Sequence, residues 1–313
     1  MLHRALYLPK DWFEPEYAER RTKCGVPDDL SFHTKAELGK QMIDEVVAAG
    51  TLPARWLTCD EAFGRDSNFL DGVANHFSYF AEVPNDTRLW LKRPKCAVPE
   101  WSGKGPKPTK QRLVDGESAA QTVAQIANEL ATSAWTRETV KEGSKGPIEA
   151  DFACVRAVAV RKGLPGPDIW LILRRNPRTG EIKYYLSNAD AQTELATFVW
   201  LSGMRWPIEI CFEDGKQELG MGDYQTRTWA GWYHHMTLCI LAHFFLVRLR
   251  LRLKDDAPEL TLQQTFLLLQ AVLPMPDFDA DLALQIVRYR QARNFAAYHS
   301  HRKQRASPAE LSL

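Results

Sequence analysis

Arg55-Trp56-Leu57-Thr58-Cys59 is a short apolar run that ends in Asp60. Gly64 turns the chain, residues 68–75 read as a helix, and Phe77-Ser78-Tyr79-Phe80-Ala81-Glu82-Val83 is a second strand stopped by Pro84. Strand, crossover helix and strand in that order make a parallel pair. No other stretch constrains the fold as much. It asks for an α/β chain, and it delivers a carboxylate to the carboxyl end of a strand, where α/β sheets build their sites.

The flanking segments fit such a sheet. Leu6-Tyr7-Leu8-Pro9 is an extended lead-in or the end of a strand. Thr34 followed by Glu37 is a capping box, and Leu38, Met42, Val46 and Val47 make the apolar face of a helix that Gly50 stops. Residues 87–114 hold eight Lys or Arg against one acid, Glu100, and four prolines keep them irregular. That stretch is either a solvated linker or a loop that tracks phosphates. Residues 116–134 read as a helix through Val123, Ile126 and Leu130. Strands follow at 150–160, 169–173 and 182–186, with Asn176-Pro177-Arg178-Thr179-Gly180 as the turn between the last two.

Beyond Asn188 the pattern is helical. Arg205, Glu209 and Lys216 are spaced by four and seven residues and share one helical face, while Ile208, Phe212 and Leu219 share another. A carboxylate held between two cations suits a divalent metal beside a phosphate. On spacing alone, Arg205 and Glu209 are equally an ordinary surface pair at i, i+4. Helices are expected at 231–253 and 260–273. Residues 282–309 carry no acid, and they interleave Arg288, Arg290, Arg293, Arg302, Lys303 and Arg305 with Tyr289, Phe295 and Tyr298. They read as a phosphate-contacting tail or as a solvated helix end.

Composition narrows the class. Net charge is +1 over 313 residues, so any nucleic-acid footprint must be local. The six cysteines show no zinc spacing, and residues 1–13 hold no apolar stretch of the secretory type. Reduced thiols and a cytoplasmic setting are the expectation. The longest apolar run, Leu238 to Val247, is too short for a bilayer and reads as a buried helix. His234-His235 has no partner at zinc spacing and reads as structural.

Taken in order, these pieces resemble the DDE transposases of bacterial insertion sequences, in the RNase H-like, retroviral-integrase-like superfamily. The resemblance rests on Leu6-Tyr7-Leu8-Pro9 with Trp12 and Arg20-Arg21, on Thr58-Cys59-Asp60-Glu61-Ala62-Phe63-Gly64, and on Tyr79-Phe80-Ala81-Glu82-Val83-Pro84. It continues in Lys141-Glu142-Gly143-Ser144-Lys145-Gly146 and Tyr185-Leu186-Ser187-Asn188, then Arg205-Trp206-Pro207-Ile208-Glu209, Lys216, Gly220, Tyr224, Trp229 and His234-His235. The last group matches the family's Y-x2-R-x3-E-x6-K signature except that Ser202 stands at the tyrosine position.

The resemblance implies an α/β, RNase H-like catalytic core that lacks its first three strands. A β-rich insertion interrupts the core, and a helical part follows it. The implied division is 1–86 for the partial core, 87–188 for the basic loop and insertion, 189–255 for the helical remainder and 256–313 for the basic tail. Asp60 and Glu209 become catalytic metal ligands for Mg2+ or Mn2+. Arg205 and Lys216 become phosphate contacts, and Trp206 either stacks on a base or packs in the core. Arg137, Lys141 and Lys145 could reach DNA from the insertion, or belong only to a turn. The implied partners are double-stranded DNA, a second copy on paired ends, and an upstream-encoded amino-terminal half carrying the first aspartate. Alone, the chain is expected to be poorly soluble and inactive as a nuclease. A non-catalytic DNA-binding remnant that modulates a full-length transposase is the alternative.

Overall fold

The structure, a computed structural model, describes residues 3–50, 52–101, 103–143, 146–204, 206–273 and 279–306. Two compact units divide the chain, Met1–Phe245 and Leu246–Leu313.

The first unit opens with an extended segment and two short 3-10 turns, then α1 (Ala18–Cys24) and α2 (Lys35–Ala48). Thr34 starts α2 as expected: its side chain accepts from Glu37 N–H while Glu37 accepts from Thr34 N–H. β1 (Trp56–Cys59), α3 (Glu61–Gly64), α4 (Ser67–Val73) and β2 (Ser78–Val83) form the crossover unit, and β1 and β2 pair in parallel. Then come β3 (Arg88–Trp90), the β4 (Cys96–Ala97) and β5 (Arg112–Leu113) ribbon, β6 (Gln121–Thr122) and α5 (Val123–Glu129). Long strands follow: β7 (Thr136–Gly143), β8 (Gly146–Arg161), β9 (Leu164–Arg175) and β10 (Ile182–Ser187). The helices α6 (Leu195–Gly203), α7 (Trp206–Gln217) and α8 (Trp229–Arg252) come next, and the unit boundary falls inside α8.

One mixed sheet carries this unit, in the order β1-β2-β10-β9-β8-β3-β6, with β7 also paired to β8. The fold is therefore mixed α/β, the class expected. The strands read as an insertion extend the sheet of β1 and β2, because β10 lies antiparallel on β2 with Tyr185 opposite Glu82. Asn188 ties this junction down. Its side-chain oxygen accepts from Tyr79 N–H at 2.7 Å, and its amide donates to the Phe77 carbonyl at 3.2 Å.

Alternation along the strands separates two cores. Tyr79, Ala81, Leu171 and Leu173 face α4 and α5, with Leu70, Val73 and Ile126. Phe80, Phe152, Ile172 and Tyr185 face α6, with Phe198 and Leu201. Burying each such large side chain contributes about 1.5–3 kcal/mol, so both faces hold the sheet.

Three expectations are corrected. Residues 88–90, inside the basic stretch, are a strand with Leu89 and Trp90 buried, because β3 pairs with β8. The helix expected over 116–134 is only Val123–Glu129: a second capping box at Thr122 begins it, and Leu130 is already extended. The run Leu238–Val247 is not buried all round, since Leu238, Leu241, Phe244 and Phe245 are more than half exposed while Cys239 and His243 are buried.

In the second unit, α9 (Leu262–Val272) starts at a Thr261 capping box closed by Gln264. α10 (Ala280–Ala306) leaves Tyr289, Phe295 and Tyr298 exposed.

Candidate functional site

Asp60 stands where the sequence places it, at the carboxyl end of β1 and exposed. Its carboxylate caps α3, with Oδ1 accepting from Ala62 N–H at 3.1 Å and from Phe63 N–H at 3.4 Å. Packing fixes this cap. A Cβ at Gly64 would lie 1.9 Å from the Glu82 carbonyl oxygen, so only glycine lets α3 sit on β2. Phe63 then packs against Phe69, the rings tilted at 47° with centroids 5.1 Å apart, and fills the space left by Gly39 on α2.

Glu82 is the site-proximal residue that sequence reasoning passed over. Cys59 is paired with Ala81, so Asp60 and Glu82 follow at adjacent strand ends. Burial pushes the Cys59 thiol up to about 12, and the charges of Asp60 and Glu82 add to that. Glu82 is only 16% exposed and accepts from Lys183 Nζ at 2.9 Å. The available signal was a lone carboxylate inside the apolar run Tyr79–Val83. Its partner Lys183 lies 101 residues further on, so spacing could not reveal the pair.

Glu209 sits in the first turn of α7 and Lys216 in its last. Both are exposed. Arg205 lies outside the described residues, and so does the side chain of Trp206. The other face of α7 is partly open. Ile208 and Phe212, which share an apolar face in the sequence, are 46% and 45% exposed. The covered side runs through Cys211 and Gly215: Cys211 Sγ lies 3.5 Å from His243 Nε2, and Gly215 offers no side chain to hold a neighbour away. His235 is structural, with Nε2 3.1 Å from the Gly220 carbonyl, and Cys239 donates to the Leu219 carbonyl at 3.4 Å. Ser202 is buried, and its hydroxyl donates to the Val199 carbonyl at 2.7 Å inside α6.

Among the described residues, no three His, Cys, Asp or Glu side chains come together as a metal site. Asp60 already commits one oxygen to two amides. These residues do not by themselves fit the set of oxygens that a pair of divalent ions requires.

Residues 1–147 match the family model described as DDE superfamily endonuclease. The match takes in Asp60 and the crossover unit, and it bears out the resemblance to DDE-type transposases. It spans slightly less than half of the 313 residues and ends before Glu209. No curated protein matches the chain significantly. A DDE superfamily endonuclease domain supports a nuclease or transposase type of function with DNA as substrate, and endonucleases of this superfamily generally use divalent metals. Among the described residues, no helix is long and apolar enough to cross a membrane.

Proposed function

We propose that this chain acts in DNA transposition, binding the ends of an insertion sequence and contributing Asp60 and Glu209 to the site that cuts and joins strands. The supporting observation is the place of Asp60. It ends an edge strand that, among the described residues, pairs only with β2. An apolar cavity of about 350 Å3 lies beside that strand, lined by Met42, Ile43, Val46, Leu57 and Phe63. A strand laid on this edge would cover apolar surface and could bring a further carboxylate next to Asp60.

In this reading the RNase H-like core is completed by an upstream-encoded polypeptide. Segments 1–86 and 189–255 then carry the catalytic part, 87–188 the basic loop and insertion, and 256–313 the basic tail. Arg205 and Lys216 hold phosphates, Trp206 stacks on a displaced base, and two copies meet on paired ends in the cytoplasm. Mg2+ or Mn2+ belongs to the completed site, and no step is assigned to a metal on this chain alone. The cap made by Asp60 favours a second reading, because a carboxylate needed only to start α3 fits a DNA-binding modulator that never cuts.

The test is a cleavage assay with Mg2+ on duplexes taken from the DNA flanking the coding region. The chain alone should leave them intact. The chain mixed with the polypeptide encoded upstream should nick them, and Glu209→Gln should abolish nicking. Nicking by the mixture that survives Glu209→Gln would overturn the reading. Duplex binding without nicking in any mixture would favour the modulator.

A further inference from the structure

α10 is 27 residues long, about 40 Å at a rise of about 1.5 Å per residue. Leu282 and Ala283 in its first turn are half-buried, and every side chain from Leu284 to His299 is exposed. Packing within the chain therefore does not explain why so long a helix is kept. Its composition points to what lies against it. No acid occurs from Leu282 to Ala306. Arg288 and Arg290 stand on the exposed stretch, and the Arg293 guanidinium lies over the Tyr289 ring at 5.8 Å.

The spacing gives the helix a polar reading edge with a cation on each side. At about 100° per residue, Val287, Gln291, Asn294 and Tyr298 fall within about 60° of one another, with Leu284 and Phe295 along one border. Arg290 stands about 70° to one side of the middle of this stripe, and Arg288 about 90° to the other. A helix lying in the major groove of a duplex asks for that arrangement, with base edges in front and a phosphate strand on each flank. Asn and Gln each match the N6 and N7 groups of adenine with two hydrogen bonds, and an apolar side chain such as Val287 suits a thymine methyl. A seam against another protein helix would bury the Gln291 and Asn294 amides, which costs free energy unless both find partners. A membrane surface asks for a single apolar face, whereas Leu284 and Val287 stand on the opposite side of α10 from Ile286 and Tyr289.

We propose that α10 is a recognition helix for duplex DNA, laid in the major groove, with Gln291 and Asn294 reading adenines and Arg288 and Arg290 holding the two flanking phosphate strands. The proposal rests on the DNA-processing reading above and adds to it the element that selects a sequence.

The experiment selects duplexes from a randomised pool with the whole chain, then measures binding of the selected duplex across a salt series. Wild type should enrich a short motif that contains adenines. Gln291→Ala and Asn294→Ala should each lose about tenfold of the preference at one base pair of that motif. Arg288→Gln and Arg290→Gln should keep the motif and each reduce the slope of log affinity against log salt by about 0.9, the share of one phosphate contact. Lys162→Gln, an exposed cation at the β8–β9 turn, should change neither. The four α10 side chains are exposed, so the variants keep the fold, and an unchanged thermal midpoint verifies this. If wild type binds duplexes without preference, or its preference and slope survive all four α10 variants, α10 is not a recognition helix and the DNA-processing reading stands without it. Adsorption to phosphatidylserine vesicles that Arg288→Gln and Arg290→Gln weaken, with duplex binding unchanged, would assign α10 to a membrane surface instead. If wild type binds no duplex at any salt, the DNA reading itself is wrong.

Discussion

The end of the sheet around Asp60 and the helix around Glu209 are built in opposite ways. Asp60 is over-determined: a cap, a glycine in contact with a backbone carbonyl and an aromatic pair fix where α3 leaves β1. Glu209 rides on a helix that is covered on one side only, with Ile208, Ile210 and Phe212 facing out. Packing within the chain positions the first acid. A helix start held at three points is set by the chain itself, whereas an exposed helix face is open to change by what comes to lie on it.

The largest break in that comparison should come from Gly64→Ala. Its methyl has no room against the Glu82 carbonyl, so α3 must lift from β2, at a cost of about 3 kcal/mol, the upper end for overpacking. Thermal or urea unfolding would register this. Gly222→Ala, beyond the end of α7 where a Cβ would meet nothing within 4 Å, is the matched control and should stay within about 0.5 kcal/mol.

A middle effect is expected at Asp151. Arg137 and then Arg175 hydrogen-bond its carboxylate and hold its pKa below the ordinary value of 3.8. A depressed carboxylate stabilises the fold at neutral pH. That contribution stays intact above the ordinary value and is lost as pH falls through the lower folded value. Asp151→Asn should cost about 1–2 kcal/mol at pH 7, less than a fully buried pair because Arg137 is half exposed, and the cost should shrink below pH 4. A cost that does not change with pH would refute the ion-pair account.

The smallest effect is expected on α7, where Phe212→Ser should shift stability by less than about 0.5 kcal/mol. A loss of 2 kcal/mol or more would show that α7 is packed as tightly as α3, and the contrast between the two regions would fall.

What could be read in advance follows the same division. The crossover unit, the Thr34 cap and strands β8 to β10 were legible because each is written in a short window by alternation, a capping pair or a turn. The joining of β10 to β2 was not, since Tyr185 and Glu82 meet across about a hundred residues. Nor was the role of Gly64, because a glycine after a short helix reads as a turn until a carbonyl is found against it. Periodicity showed an apolar face on α7 but could not say whether that face was covered. The helix instead buries Gly215 and half-buries Cys211, a small-residue side that hydrophobicity does not mark. Asp60 was correctly placed at its strand end, yet its cap was invisible until the three residues after it were seen to turn.

That cap makes Asp60 the sharpest place to test whether the carboxylate is chemical or only structural. Asparagine at position 60 keeps an oxygen for the Ala62 and Phe63 amides and removes the charge, whereas alanine removes both. In the reconstituted cleavage assay, Asp60→Asn should keep the wild-type unfolding midpoint and lose all nicking, while Asp60→Ala should lose nicking and also about 1 kcal/mol of stability. Nicking at the wild-type rate by Asp60→Asn would contradict the account, leaving Asp60 as the start of a helix and nothing more.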